Sequence, residues 1–412
     1  MPKLEFLENL KNKIKNRVSG DVKKSGINAE HEELNKQLIR HRVVLIQRGL
    51  VGTFVIVLLI ALVCLFNIFR IYTGYRVLTD IERSDSDTAV YIPYNGTRVI
   101  KYSQDGAEAF DGKNNALWNI TFEMQNPQIA TCGEWAALGD FKGNLIYVVN
   151  SNGIVSQLET KYPVSAFCIA GQGVVAAVLE GDEQMKINLY SPSGDLLAEM
   201  KCTMANSGYP IDVAISDDGM KLGVSYVRID AGKLKSSVAF YNFDEVGQNE
   251  IDNYVSGYDY VDTVVPKVHF LNGDTAFALG DNRLVIYKGS QKPTSQYESF
   301  INEEVKSLYY GSDMIALVFR DSEDGSKYRI DVYDDNGKQR LSEKIDFEYT
   351  DIVLSRDNII VYNDKRCCMY KAGGRKKYEG SFEEAVLLLV PGDTADRWTL
   401  VSKNNIKTVR LQ

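Results

Sequence analysis

Three short stretches decide the fold: "LYSPSGDLLAEM" at residues 189–200, "VYDDNGKQRLSEKI" at 332–345 and "VVNSNGIVSQLET" at 148–160. Each contains an apolar or aromatic residue, then a tight polar turn with glycine, then a second short strand pattern. Glycine and asparagine supply the positive φ that tight hairpin turns require. The chain therefore repeats one kind of hairpin, which indicates a repeat architecture.

The residue that opens each turn recurs at spacings of 39, 41, 51, 46, 46 and 37 positions. Periods near 40 to 45 with four short strands each are typical of propeller blades. The sequence therefore predicts an all-β fold, a β-propeller, with eight blades favoured and seven as the alternative if two units merge. We call these residues the turn landmarks: Phe110, Val149, Tyr190, Tyr241, Tyr287, Tyr333 and Tyr370.

The last repeat unit, residues 384–412, contains three strand patterns instead of four. The stretch "YRVLTDIER" at 75–83 precedes the first complete unit and has no unit of its own. We expect residues 75–83 to pair with 406–411 as the missing fourth strand, because such closure removes the exposed edges of an open sheet.

A membrane span is predicted at residues 49–69, "GLVGTFVIVLLIALVCLFNIF", which contain no charged residue. At about 1.5 Å per residue this helix is about 31 Å long, which matches the hydrocarbon core of a bilayer. Arg40, Arg42 and Arg48 precede it, whereas only Arg70 and Arg76 follow closely. The positive-inside rule then keeps the N-terminus in the cytoplasm.

This span divides the chain into four predicted parts: a basic cytoplasmic segment at 1–48, the transmembrane helix at 49–69, a linker with the ring-closing strand at 70–87, and the propeller at 88–412. The predicted location is the cell membrane, single-pass, with the propeller extracytoplasmic.

Charge follows the same division. The whole chain carries a net charge of −8; residues 1–48 carry +5, so the remainder carries −13. An acidic exported part disfavours nucleic acid as a partner, because binding to phosphates relies on basic side chains. In the cytoplasmic segment, apolar residues at helical spacing between lysines predict a basic amphipathic helix that lies on a membrane surface or packs on a partner. The alternative is that the lysines only set the orientation of the membrane span. The apolar residues are Leu4, Leu7, Leu10, Ile14 and Val18.

The stretch "YNGTRVIKYSQDGAEAFDGKNNALWNITFEMQNP" at 94–127 resembles a family of uncharacterised, single-pass membrane proteins of Gram-positive-type bacteria. Their exported part is a WD40-like or quinoprotein-like propeller. The resemblance extends over about the whole exported part and implies that architecture, but it implies no activity.

Candidate chemistry is sparse, and we predict no catalytic residue, no metal site and no cofactor. His269 is the single histidine after the span, and we interpret it as a packed strand residue. The adjacent Cys367 and Cys368 are similar to a quinoprotein vicinal pair in that one feature, but two strand residues facing opposite sides explain them better. We interpret Cys132 and Cys168, at comparable places in neighbouring repeats, as small apolar fillers near the axis.

A binding surface is predicted after Tyr241, where the largest landmark spacing begins. The segment "NFDEVGQNEIDNYVSGYDYVDTVVP" is acidic and rich in tyrosine. Long connections in compact domains are often functional, and tyrosine buries much area at small entropic cost. The predicted binding residues are Asp252, Tyr254, Tyr258, Asp259 and Tyr260; the alternative is a solvated strand whose tyrosines pack on the neighbouring blade.

These features favour a membrane-anchored, extracytoplasmic scaffold or sensor with a protein partner in the cell envelope. The alternative is an envelope enzyme, glycan-acting or quinone-dependent, that uses the funnel of the propeller. Two close carboxylates or a quinone-sized apolar slot in that funnel would favour the enzyme.

Overall fold

The computed structural model of the protein describes residues 29–83, 89–204, 207–321 and 325–412. The chain divides into two compact units, one up to Arg70 and one from Ile71 to Gln412. The predicted basic helix at residues 4–18 lies outside the described residues.

The first described element is a single long helix, α1, which spans Ala29–Phe69. Its part Arg40–Val63 is long and apolar enough to cross a membrane. Large side chains there are exposed, as the 68% exposure of Phe54 illustrates. The hydroxyl of Thr53 donates to the backbone oxygens of Gly49 and Leu50, at 3.1 and 2.9 Å, so this polar group is satisfied within the helix.

The second unit consists of eight four-stranded antiparallel sheets, which confirms the eight-blade prediction. Blades 1 to 4 are β2 (Val90–Tyr94), β3 (Arg98–Tyr102), β4 (Gly106–Phe110), β5 (Ala116–Thr121); β6 (Pro127–Cys132), β7 (Trp135–Asp140), β8 (Leu145–Asn150), β9 (Gly153–Glu159); β10 (Val164–Ile169), β11 (Val175–Glu180), β12 (Met185–Tyr190), β13 (Leu196–Cys202); and β14 (Tyr209–Ile215), β15 (Lys221–Asp230), β16 (Lys233–Asn242), β17 (Tyr254–Val261).

Blades 5 to 8 continue in the same order, except that the last blade takes its fourth strand, β1, from the start of the unit. They are β18 (Lys267–Asn272), β19 (Thr275–Leu279), β20 (Arg283–Lys288), β21 (Thr294–Phe300); β22 (Val305–Tyr310), β23 (Met314–Arg320), β24 (Tyr328–Asp334), β25 (Gln339–Ile345); β26 (Asp351–Ser355), β27 (Asn358–Tyr362), β28 (Arg366–Lys371), β29 (Lys376–Ser381); and β30 (Val386–Pro391), β31 (Arg397–Ser402), β32 (Asn405–Leu411), β1 (Tyr75–Glu82).

Strand β1 closes the ring as predicted. It pairs antiparallel with β32, from Tyr75 opposite Leu411 to Glu82 opposite Asn405. Just before β1, Tyr72 forms two backbone hydrogen bonds with β29 of blade 7. The start of this unit is therefore held by two blades.

The seven turn landmarks share one backbone feature. At each of them the pairing of the third strand with the fourth shifts by one residue, as between Leu189 and Tyr190. Gly194 and Gly337 lie in these turns at φ 98° and 81°. A tight turn followed by a left-handed residue and a bulge is a common hairpin solution, and the bulge recurs at the same position in seven blades.

The core lies between neighbouring blades. The second strands are buried along most of their length, and Val175, Ile315 and Ile359 have no exposed surface. First strands of neighbouring blades lie side by side, as β14 does with β10 and β18. We call the end of the ring where first strands begin the start rim, and the opposite end the end rim. Because the strands alternate in direction, the third-to-fourth turns lie on the end rim.

Candidate functional site

The segment between β16 and β17 departs most from the repeat. Residues 243–253 connect the third and fourth strands of blade 4, where the other uninterrupted blades use two to five residues. This segment, which we call the blade-4 insert, contains a short helix, α2 (Glu245–Gln248), and a 3-10 turn at Ile251–Asn253. Its position after a third strand places it on the end rim.

One ion pair joins the blade-4 insert to blade 5, and Asn242, the last residue of β16 just before the insert, adds two hydrogen bonds. The side chain of Asn242 donates to the backbone and side-chain oxygens of Gln291, at 2.9 and 2.8 Å. Glu250 pairs with Lys292 at 2.6 Å. Gly247 is buried, and a β-carbon there would overlap the backbone oxygen of Asn242. The insert is therefore a fixed part of the surface.

The tip of the blade-4 insert exposes an aliphatic and an aromatic side chain. Ile251 is 87% exposed and Tyr254 is 47% exposed. Between them, Asp252 and Asn253 have φ of 56° and 58°, a left-handed conformation that is uncommon outside glycine. Two consecutive left-handed residues form a tight kink, and this kink presents Ile251 to solvent.

Two of the predicted binding tyrosines pack on blade 5. The hydroxyl of Tyr258 donates to the Pro293 oxygen at 3.3 Å and accepts from the Ser295 nitrogen at 3.1 Å. Tyr260 is 7% exposed, and its hydroxyl lies 2.6 Å from that of Tyr287. Burial raises the pKa of Tyr260 to about 12, which keeps the phenol protonated.

The remaining predicted residues differ in their surroundings. Asp259 accepts hydrogen bonds from Ser237 at 2.5 Å and pairs with Lys235 at 2.9 Å. Although burial acts in the opposite direction, these two groups lower the pKa of Asp259. Asp252 lies on the exposed tip beside Tyr254. The structure thus places Asp252 and Tyr254 at the exposed tip and packs Tyr258 and Tyr260 on blade 5, whereas Asp259 is exposed and pairs with Lys235. The binding role remains a prediction.

On the first strands, Asp212 of β14 joins blades 4 and 5. Its carboxylate accepts from the Val268 nitrogen at 2.8 Å and pairs with Lys267 at 3.2 Å. Burial raises the pKa of Asp212, and Lys267 opposes that shift. Two residues after Lys267 on β18, the ring of His269 packs against that of Tyr310, with ring centres 4.1 Å apart and planes inclined at 36°. Burial, with a smaller effect of Lys267, lowers the pKa of His269 to about 3, so the imidazole is neutral at pH 7.

The adjacent cysteines lie in two different cores. Cys367 and Cys368 occupy β28, with exposures of 0% and 4%. Cys367 packs with Tyr362 and Trp398 between blades 7 and 8, whereas Cys368 packs between blades 6 and 7. They face opposite sides of the strand, as predicted. Burial raises the pKa of the Cys368 thiol to about 11.

Metal-ligating groups do not converge in the part of the chain that the structure describes: no three His, Cys, Asp or Glu side chains are placed to hold an ion. Cys132 and Cys168 are unpaired, half-buried thiols on first strands. Burial, with a smaller effect of the nearby Asp217, raises the pKa of Cys132 to about 12. The role of Cys132 and Cys168 as small apolar fillers near the axis remains a prediction.

The blades, their closure and the extent of the ring accord with a family model that covers residues 68–411, described as a family of unknown function (DUF5711). The chain belongs to the DUF5711 family. This family assignment covers the eight blades and brings no activity with it. No curated protein shows significant sequence similarity to this DUF5711 chain.

Solved structures show similar folds at low sequence identity. Sqt1 from Chaetomium thermophilum is 13% identical with a TM-score of 0.50, over 82% of this chain and 99% of that one. BamB from Moraxella catarrhalis is 12% identical with a TM-score of 0.46, over 82% and 100%. The Neurospora crassa Pan2 WD40 domain is 9% identical with a TM-score of 0.45, over 83% and 97%. These similarities concern the fold alone.

Proposed function

We propose that this protein is a membrane-anchored scaffold or sensor whose propeller binds a protein partner in the cell envelope. In this proposal residues 1–48 are cytoplasmic, 49–69 cross the membrane, 70–87 link the span to the ring, and 88–412 form the extracytoplasmic propeller. The observation that carries the binding role is the 87% exposure of Ile251 on a fixed insert.

Exposed aliphatic side chains cost free energy unless something covers them. Burying one isoleucine contributes about 1.5–3 kcal/mol. A side chain that its own protein already holds in place loses little conformational entropy on binding. A few such aromatic and aliphatic side chains contribute most of the binding energy of an interface. Ile251 and Tyr254 supply such a pair, with Asp252 between them. The four acids of the blade-4 insert favour a partner that is basic or polar around an apolar pocket; they are Asp244, Glu245, Glu250 and Asp252.

The anchor itself is proposed from α1. The length and apolar composition of Arg40–Val63 support a membrane span, and the excess of arginine before residue 49 supports a cytoplasmic N-terminus. The enzyme alternative gains no support from His269 or from the Cys367–Cys368 pair, because the first packs against an aromatic ring and the second lies in two cores.

The experiment places a photo-crosslinking amino acid at Ile251 in the full-length protein and irradiates intact membranes. A matched control carries the same amino acid at Ile229, which is 72% exposed on the start rim of the same blade. We expect a discrete crosslinked adduct from position 251 that is lost when Tyr254→Ser is added, and no such adduct from position 229. Adducts of equal yield from both positions, or from neither, would refute the proposed surface.

A further inference from the structure

A second surface lies on the start rim where blades 6 and 7 meet. There the ammonium of Lys306 lies 4.2 Å from the centre of the Tyr328 ring and 4.9 Å from that of Tyr349. The two ring centres are 4.9 Å apart, and the ring planes are inclined at 80°. We call these two rings the aromatic corner. A cation near two ring faces is attracted by the negative potential above each of them.

Each ring of the aromatic corner is fixed by its own partners. Tyr328 is 7% exposed, and its hydroxyl donates to the carboxylate of Glu348. The Tyr349 hydroxyl lies 2.8 Å from that of Ser307. The ring of Tyr309 meets that of Tyr349 edge-on, at 6.3 Å and 75°. Each ring of the corner therefore has partners other than Lys306 that hold it in place.

Lys306 is held by the same two tyrosines, whose hydrogen bonds with its ammonium raise the pKa of Lys306 although burial acts in the opposite direction. The pairing of β22 with β23 shifts between Val305 and Ser307, so Lys306 is the extra residue of a bulge. A bulge redirects one side chain out of the regular alternation of a strand. The side chain is exposed and forms no ion pair within the described residues. Lys306 can therefore rotate into solvent without leaving a buried charge behind.

Two other cations on the same rim, Lys186 and Arg366, are bound differently. Lys186 lies 5.5 Å from a single ring, that of Tyr162, and pairs with Glu199 at 3.0 Å. Arg366 lies 4.7 Å from the Phe347 ring and pairs with Asp346 at 3.3 Å. Those cations are fixed by carboxylates beside one ring. Lys306 differs because two rings contact its ammonium and no carboxylate pairs with it.

We propose that the aromatic corner is a binding site for quaternary ammonium compounds, with Lys306 as an internal occupant that moves aside. A primary ammonium is strongly hydrated, so it gains little by leaving water for a ring face. A quaternary ammonium lacks N–H donors and is weakly hydrated, and aromatic cages characteristically recognise such ions. The nearby carboxylate of Glu348, whose pKa is lowered by Tyr328 and Lys327, adds a negative charge at the edge of the corner. This inference does not depend on the proposed scaffold role.

The test measures binding of tetramethylammonium and choline to the full-length protein in a non-ionic detergent, because detergents with choline headgroups would occupy the site. Removal of the internal competitor in Lys306→Ser is expected to tighten binding roughly tenfold over wild type, and adding Tyr349→Leu is expected to reverse that gain. Lys186→Ser, at the single-ring site, serves as the matched control and is expected to change nothing.

Binding is followed by shifts of the tyrosine ring resonances, which also report whether each variant is folded. If Lys306→Ser fails to fold, titration of the wild type still decides the question, because the proposal requires that the ring signals of Tyr328 and Tyr349 shift first. Equal affinity of wild type and Lys306→Ser would overturn the proposal. Tighter binding that persists after Tyr349→Leu is added to Lys306→Ser would also overturn it. A gain for tetramethylammonium without one for choline would restrict the site to small cations and contradict recognition of the wider class.

Discussion

Replacing Gly337 by alanine should destabilise the protein more than the same change at Gly374. Both glycines lie in third-to-fourth turns, at φ 81° and 86°. A β-carbon at Gly374 would meet nothing within 4 Å, whereas one at Gly337 would overlap the ring carbons of Tyr297. Tyr297 belongs to β21 of blade 5, and Gly337 lies in a turn of blade 6. The comparison therefore separates backbone strain from a contact between blades.

The expected magnitudes follow from these two effects. A left-handed conformation costs an alanine about 1–2 kcal/mol, and alanine recovers about 0.4–1 kcal/mol by restricting the unfolded chain. Gly374→Ala should therefore lower the free energy of unfolding by about 1 kcal/mol. Gly337→Ala adds an overpacking cost of about 1–3 kcal/mol, because the overlapping atoms lie near the base of the Tyr297 ring and can move little.

The free energies are measured by urea unfolding of the full-length protein in a non-ionic detergent. Tyr297→Ala provides the control: combined with Gly337→Ala, it should cost less than the sum of the two single changes, since the ring that would be overlapped is absent. With Gly374→Ala the costs should simply add. Equal destabilisation by the two glycine substitutions, or additivity in both pairs, would refute the proposed contact.

Three further outcomes are expected. A shortened chain that begins at Thr88 lacks β1 and should melt at a lower temperature than one that begins at Thr73; equal melting temperatures would contradict ring closure by β1. His269 has a folded-state pKa of about 3, below the unfolded value of about 6.5, so the unfolded state takes up the proton first as the pH falls. The free energy of unfolding should fall by about 1.4 kcal/mol per pH unit between pH 6.5 and 3, and His269→Phe should lack that loss. If urea unfolding gives wild type and His269→Phe the same dependence of this free energy on pH, the reasoning is refuted. Protease added to intact protoplasts should digest residues 84–412 and spare 1–48, and protection of the larger part would exclude the proposed topology.

The repeat was readable from the sequence because each blade uses the same hairpin chemistry. Tyr190 and Tyr333 stand at equivalent bulges, and the glycines that follow them have the positive φ that the turn pattern predicted. The fourth strand of the last blade was also predictable, since a three-stranded final unit and an unused strand pattern left one arrangement without free edges. Seven blades, the alternative, would have required two units to merge.

The surroundings of individual side chains were less accessible to sequence reasoning. The spacing after Tyr241 located the blade-4 insert, and the alternative that tyrosines of β17 pack on the neighbouring blade agrees with the contacts of Tyr258 and Tyr260, but no sequence pattern separated these two from the exposed Tyr254. Ile251 was missed because its exposure depends on the left-handed kink that follows it. The aromatic corner was missed because its parts come from two strands and an interblade connection, which no local pattern links.

The pairing of β1 with β32 also dictates an order of assembly. Tyr75 and its partner Leu411 are 336 positions apart, so the first strand of the ring to be synthesised waits for the last one. At translation rates of 5–20 residues per second, this delay is roughly 20 to 70 s. Blades 1 to 7 contain consecutive strands and can form during that interval, whereas the eighth requires the most distant contact in the ring. Synthesis of β32, and not the formation of any of the first seven blades, therefore sets the moment at which the ring can close.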